Sequence, residues 1–279
     1  MAKSDRVQVS RPTIHCITNV ITVNDCANVL HAIGAAPVMA HYSGEVAQVA
    51  AGAAALVLNL GATEDFEAMK IAIEAANAAD IPIVVDPVGA GGIEYRRQMF
   101  KELVGIAVPT CVRGNMSEIK ALLYDFNTTV GVDADNFTGS IDEQNMSYKL
   151  SDKLSDKLSD EQIVMQLAKR LGCIVVASGR TDIISDGDRC EYVAAGTEML
   201  THITGAGCMS SAMTGGFLGG CAPEGCDPIE AVRLACECMG QCGEAAASRT
   251  VNDNAGIMTF HTYLIDEISR RFLFQYIVS

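Results

Sequence analysis

Ile81-Pro82-Ile83-Val84-Val85-Asp86-Pro87-Val88-Gly89 is the stretch on which the reading of the fold turns. Its β-branched run is too short for a helix. It stops at a carboxylate, a proline and a glycine, the marks of a strand that ends in a loop. On either side, residues 64–79 and 95–104 carry apolar residues at helical spacing. The alternation continues outward: helical spacing also marks 23–33, 45–52, 117–124, 160–171, 206–219, 227–248 and 259–274, and strand-like runs mark 37–39, 56–60, 111–113, 174–177 and 192–194. Strands that alternate with helices build βαβ units, so the chain predicts an α/β fold with a largely parallel, buried sheet.

What ends each strand carries the functional signal. The run at 56–58 meets Asn59, 83–85 meets Asp86, 111–112 meets Arg113-Gly114-Asn115, and 175–177 meets Ser178-Gly179. In an open parallel sheet the carboxyl ends line one edge, where ligands bind, so these groups are expected to converge. One arginine, one aspartate, Glu118 close by, and several amides and hydroxyls form the inventory of a phosphoryl-transfer site. Such a site uses a cation for phosphate, carboxylates for Mg²⁺ or its waters, and backbone amides for developing charge. Neither a Walker-type Gly-Lys-Ser/Thr nor a GxGxxG motif is present, so a nucleotide would be held differently from those two classes.

Thr204-Gly205-Ala206-Gly207-Cys208 lies between the strand-like run at 192–194 and a small-residue run that reads as a helix. Its glycines permit close backbone approach, and the helix start offers unpaired N–H groups, which together make an anion cradle with a thiol in its mouth. By itself the motif fits a glycine-rich turn with a buried cysteine equally well.

The 279 residues suit one large domain over 1–279. With 34 acidic against 20 basic residues and no basic stripe, nucleic acid is excluded as a partner. Apolar residues make up 49% of the chain, yet every apolar run breaks well short of a membrane span. The polar N-terminal stretch holds no signal-like core, so a soluble, cytoplasmic protein with no membrane partner is expected. Eleven cysteines at irregular spacing point to reduced thiols, with Cys236, Cys238 and Cys242 as small core residues on one helix. Residues 149–160 are three copies of Lys-Leu-Ser-Asp, and with the polar stretch before them they predict a surface insertion at about 133–160 without a catalytic role. Asp227-Pro228 with Glu230 reads as a helix start, and Asn115 with Glu118 has capping-box spacing. In His15-Cys16-Ile17-Thr18-Asn19, the chemistry alone favours caps and turns ahead of a helix, and His15 reads as a hydrogen-bonded structural histidine.

Five motifs in order give the chain a family. His15-Cys16-Ile17-Thr18-Asn19, Ala35-Ala36-Pro37-Val38-Met39, Asp86-Pro87-Val88-Gly89, Arg113-Gly114-Asn115-Met116-Ser117-Glu118 and Thr204-Gly205-Ala206-Gly207-Cys208-Met209 resemble those of hydroxyethylthiazole kinases, across roughly residues 11–270. The resemblance implies a ribokinase-like three-layer α/β/α fold. It also implies ATP- and Mg²⁺-dependent phosphorylation of 4-methyl-5-(2-hydroxyethyl)thiazole for thiamine salvage, and a homotrimer with sites at subunit interfaces. Carried over residue by residue, it makes Asn19, Met39 and Gly205 substrate contacts, which replaces the capping reading of Asn19. Arg113, Ser178 and Asn115 become ATP contacts, and Asp86 and Glu118 become metal ligands, directly or through water. Gly205, Ala206, Gly207 and Cys208 become the catalytic turn. The chain departs from the family pattern at Ala206 and Ser178, each commonly Thr, and at Arg180, commonly an acid.

Cys208 stands where most ribokinase-like enzymes place an aspartate. A thiol at a helix N-terminus is expected to have a depressed pKa and to accept the alcohol proton, in a reaction where positioning and charge stabilisation supply most of the rate. Two rivals remain. Another ribokinase-like catalyst, a pyrimidine kinase or an ATP-dependent dehydratase, would show an acid at position 208. A non-catalytic thiazole or nucleotide sensor would have no need of an intact set of phosphate and metal groups.

Overall fold

The computed structural model describes residues 11–129 and 158–272. Eight strands, β1 (Thr13–Ile17), β2 (Ala36–Val38), β3 (Ala55–Asn59), β4 (Ile83–Asp86), β5 (Cys111–Asn115), β6 (Ile174–Ser178), β7 (Asp182–Ser185) and β8 (Cys190–Val193), form one sheet in the order β2-β1-β3-β4-β5-β6-β7-β8. Pairing is parallel from β2 through β6 and antiparallel for β6–β7 and β7–β8. The helices among the described residues are α1 (Val23–Ala32), α2 (Val46–Ala51), α3 (Phe66–Ala78), α4 (Glu94–Ile106), α5 (Met116–Thr129), α6 (Asp160–Leu171), α7 (Ala206–Cys221), α8 (Pro228–Asn252) and α9 (Ile257–Phe272).

Alternation along the strands sends side chains to two separate cores. Ile14, Val57, Val84, Cys111 and Val176 pack under α1, α7, α8 and α9. Leu56, Leu58, Val85, Val112 and Val175 pack under α2 to α6. Both faces are therefore covered, giving three layers, as a parallel sheet with crossover helices requires. The central helix is α7, where small residues let the backbone sit close to the sheet. A Cβ at Gly219 would stand 2.9 Å from Ile14 and 3.2 Å from the Ala54 backbone.

Helix starts follow the local chemistry. Asp227 accepts from the Ile229 N–H at 3.2 Å, with Pro228 in the first turn of α8. Asn115 and Glu118 cap α5 reciprocally, through Glu118 N–H to Asn115 Oδ1 (3.0 Å) and Asn115 N–H to Glu118 Oε2 (2.8 Å). The last Lys-Leu-Ser-Asp copy supplies the start of α6, where Ser159 and Gln162 form a capping box. The rest of the expected insertion, 133–157, lies outside the described residues.

Three expectations need correction. Residues 13–17 are a central strand, not a capping segment, and His15 and Cys16 are buried in it because β1 is flanked by β2 and β3. β7 escaped the pattern because its four residues include a terminal Asp and Ser, whose polarity hides a hairpin strand. Cys221 and Cys226 are joined as a disulfide, against the expectation of reduced thiols throughout; the turn at 222–225 brings their Cα atoms to 5.4 Å. The other nine cysteines are free, and Cys238 and Cys242 share one buried face, with sulfurs 4.0 Å apart.

Candidate active site

After β1 the chain turns to one side to form β2, then crosses to the other side of β1 to form β3. The crevice between the carboxyl ends of β1 and β3 is thus a topological switch point, the place where open α/β sheets bind ligands. Asn19 follows β1, Asn59 ends β3 and Asp86 ends β4, where the register sets Asn59 against Asp86. The start of α7 closes over these three residues.

The turn before α7 is built for close approach. Gly205 caps the helix at φ 90°, and a Cβ there would stand 2.7 Å from Thr22 Cγ2, so both backbone and space demand glycine. The first helical bond runs from Met209 N–H to the Gly205 carbonyl at 2.8 Å. That leaves the N–H groups of Ala206, Gly207 and Cys208 without intrahelical partners, at the positive end of the helix dipole. A Cβ on Gly207 would meet nothing within 4 Å, so the space above the turn is open.

Cys208 lies at the inner wall of this turn. Its Sγ receives Asn59 Nδ2 at 3.3 Å and Asn19 Nδ2 at 3.5 Å. Its pKa is raised, first by burial and then by the charge of Asp86, while the Thr22 hydroxyl and the two amides pull it down. This corrects the expected depression: the helix terminus does not outweigh desolvation beside a carboxylate. Cys26 lies behind, and burial together with the neighbouring Cys208 pushes its thiol up to about 12.

Asp86 is 3% exposed. Its Oδ2 accepts from Ser211 Oγ at 2.8 Å and from Asn59 Nδ2 at 3.0 Å. Burial pushes its pKa up to about 6, with Glu118 adding to the rise and Ser211, Arg113 and Asn59 opposing it. Glu118 Oε1 accepts from Gly89 N–H at 2.8 Å while Oε2 holds Asn115 N–H, so this side chain ties the loop after β4 to the end of β5. Arg96 and Arg97 brace the same loop through the carbonyls of Val88 (2.8 Å) and Ala90 (2.9 Å). For a divalent cation, two neighbouring carboxylates that repel each other suit the charge, and the hydrogen bonds on Asp86 all fall on one oxygen, leaving Oδ1 for a ligand. Mg²⁺ is usually held by one or two carboxylates, waters and substrate phosphates, so the donor set fits.

Arg113 lies beneath the turn, on the α7 face of β5. It is 7% exposed, its Nη1 donates to the Gly207 carbonyl at 3.4 Å, and its buried Nε has no partner. Burial opposes its charge, but Cys236, Asp182 and Asp86 outweigh that effect and leave its pKa raised. Further along the edge, Ser178 donates to the Gly114 carbonyl at 3.2 Å. It lines a cleft of about 400 Å³ with Met116, Gly179, Arg180 and Ile183. Met39 lies one residue beyond β2, packed against the α1/α7 core. His15 Nε2 donates to the Ala40 carbonyl at 2.9 Å, and burial lowers its pKa, so it acts as a neutral donor bracing the segment that carries Met39.

The family model that matches this chain is the hydroxyethylthiazole kinase family, over residues 5–151 and 138–272. A hydroxyethylthiazole kinase from Clostridium botulinum (strain Eklund 17B / Type B) is 39% identical over 95% of this chain and 89% of its own length. One from Methanobrevibacter smithii is 36% identical over 94% and 88%. The chain belongs to the hydroxyethylthiazole kinase family. Among solved structures, hydroxyethylthiazole kinase from Pyrococcus horikoshii OT3 superposes with a TM-score of 0.75 at 31% identity, over 93% of this chain and 88% of that one. A ribokinase-like superfamily protein from Enterococcus faecalis (TM-score 0.57, 14% identity, 92% and 86% covered) shares the fold alone. The fold is thus ribokinase-like, and a member of this kinase family is an enzyme of the phosphotransferase class.

The structure brings Asn19, Asp86, Glu118, Arg113, Cys208 and the glycine turn to one stretch of the sheet edge, with Ser178 and Asn115 further along it. Sequence reasoning assigned no role to Asn59 and Ser211. Asn59 was visible as a polar residue ending an apolar run; Ser211, inside a helix of small residues, carried no signal.

Proposed function

We propose that this chain transfers the γ-phosphoryl group of ATP to the hydroxyethyl group of 4-methyl-5-(2-hydroxyethyl)thiazole, a step of thiamine salvage. The observation that carries the reading is the turn at Gly205–Cys208: three free N–H groups and a helix dipole face open space, with a thiol, a carboxylate and an arginine at its base. The alcohol oxygen attacks the γ-phosphorus, the bond to the β–γ bridging oxygen breaks and ADP leaves. Because burial beside Asp86 raises its pKa, Cys208 is a neutral thiol that positions the alcohol and does not take its proton, which leaves on an oxygen of the transferred phosphoryl group or to water. Little base strength is needed, because the loose transition state depends on positioning and on stabilising charge. Ala206, Gly207 and Cys208 N–H groups meet the equatorial oxygens, and Arg113 supplies positive charge from beneath.

Asp86 and Glu118 would hold Mg²⁺, directly or through water, and the ion would neutralise phosphate charge. Asn19, Met39 and Gly205 line the thiazole side. Ser178 and Asn115 serve the nucleotide side, where the apolar floor of the 400 Å³ cleft suits a base. Val20, Ile21 and Tyr42 are 83%, 70% and 72% exposed beside Asn19 and Met39. Apolar side chains in that position suit a homotrimer with sites at subunit interfaces. Among the described residues no helix is long and apolar enough to cross a membrane; a supply of ATP puts the reaction in the cytoplasm.

A coupled ADP-release assay with a panel of hydroxymethyl and hydroxyethyl heterocycles tests the reading. Turnover highest with the thiazole alcohol supports it. Preference for a pyrimidine alcohol, or binding without ADP release, contradicts it.

A further inference from the structure

Asn59 has no part in the roles given above, yet it touches the main polar groups on the reacting side of the site. It is 1% exposed. Its Oδ1 accepts from Gly61 N–H at 2.9 Å and from Asn19 Nδ2 at 3.2 Å, and its Nδ2 donates to Asp86 Oδ2 at 3.0 Å and to Cys208 Sγ at 3.3 Å. Two acceptor and two donor positions are all that an asparagine amide has, and each is used. The amide can face only one way, because a backbone N–H can only donate and an ionised carboxylate can only accept.

Asn19 is fixed by the same logic. Its Oδ1 accepts from the N–H groups of Ile21 (3.1 Å) and Thr22 (3.2 Å), which sends its Nδ2 to Asn59 Oδ1 and to Cys208 Sγ. Hydrogen bonds therefore run in one sense, from the backbone after β1 through two amides to Asp86. The Cys208 sulfur faces a donor from each amide and is held as an acceptor, so a proton on it must point away from both, towards the open side. A purely structural asparagine would be expected to serve its own loop. Three of the four partners of Asn59 come instead from other segments, those after β1, at the end of β4 and at the start of α7.

We propose that Asn59 is a positioning residue: it holds the Cys208 sulfur facing the alcohol and ties it to Asp86, so that thiol and carboxylate keep one geometry. This rests on the reading that Cys208 faces the alcohol, but its test does not need turnover.

The probe is iodoacetamide on the ligand-free protein across pH, with modification of Cys208 read by peptide mass and Cys208→Ser as the blank. Asn59→Asp keeps the shape and removes both donors; Asn59→Ala removes the amide. Loss of a hydrogen bond to a charged sulfur slows alkylation at fixed pH by about tenfold or more. The kcat for the thiazole alcohol falls at least as far, while KM for ATP stays within about twofold of wild type. A folded variant whose Cys208 alkylation profile matches wild type overturns the proposal, as does slower alkylation with unchanged kcat. If neither variant melts cooperatively, asparagine side-chain amide spectra of wild-type and Cys208→Ala protein decide. Two amide pairs move if Asn19 and Asn59 hold the sulfur, and none moves if they do not. A wild-type protein that alkylates normally but never phosphorylates the thiazole refutes the proposed function and leaves the alkylation arm to decide Asn59 alone.

Discussion

The sheet edge has two halves of different character. Between β1 and β4, the polar side chains are linked: buried Asn59, Asp86 and Ser211 and half-buried Asn19 and Cys208 form one hydrogen-bonded group around the start of α7. Around β6 to β8, Ser178 makes a single bond to a backbone carbonyl, Gly179 and Arg180 are exposed, and a cleft stands open. The contrast teaches where precision is invested. On the proposed reading, the groups assigned to the reacting atoms are fixed before any ligand arrives, at the cost of burying a carboxylate and an arginine, whereas the side proposed for the nucleotide is an open cleft with few internal bonds.

Substitutions that separate the halves should differ in size. The largest loss is expected at the first half. Asp86→Asn keeps the shape and the hydrogen-bonding positions but removes the charge, and steady-state kinetics should show kcat down by about 10³-fold, the scale of a preorganised electrostatic group. A kcat within tenfold of wild type would remove Asp86 from the reacting half. Next comes Arg113→Ala. Loss of the cation under the turn should lower kcat/KM for ATP by about 10²-fold, within the range for a charged group at the transition state, and should also reduce thermal stability because Asp86 loses its neighbour. Wild-type values for both KM and kcat would refute the assignment.

The buried half should also reveal itself through pH. Asp86 binds its proton more tightly in the folded state, at about 6 against an ordinary 3.8. The folded protein therefore holds the extra proton between about pH 4 and pH 6, and stability falls as pH rises through that window by about 3 kcal/mol in all, then stays level. Urea unfolding without Mg²⁺ or ATP measures it: Asp86→Asn should gain on wild type as pH rises from 4 to 6. Parallel curves would show that burial does not strain this carboxylate. The smallest effect belongs to the open half. Ser178→Ala loses one neutral hydrogen bond and should raise KM for ATP by no more than about fivefold, with kcat unchanged. A larger change would mean that the nucleotide side is as finely set as the reacting side.

Much of the architecture was legible because it depends on local pattern. Apolar runs of strand length broken by Asn59, Asp86, Arg113 and Ser178 announced both the sheet and the edge at which ligands gather. The start of α8 at Asp227-Pro228 and that of α5 at Asn115 were readable from residues a few positions apart. What stayed hidden depends on long-range register. Asn59 meets partners 27, 40 and 149 positions away, and no spacing rule links them. β1 was concealed because a histidine and a cysteine stand inside it, residues that look polar in sequence but lie in a fully covered strand. The pKa of Cys208 was misjudged for the same reason, since its helix position is visible in sequence while its burial beside Asp86 is not.

The division of labour at the turn can be tested most directly by a crystal structure of the complex with the thiazole alcohol, Mg²⁺ and a non-hydrolysable ATP analogue. The account predicts the alcohol oxygen within hydrogen-bonding distance of Cys208 Sγ, with the γ-phosphate oxygens on the N–H groups of Ala206 to Cys208. A phosphate bound elsewhere on the edge, or an alcohol turned away from Cys208, would contradict it.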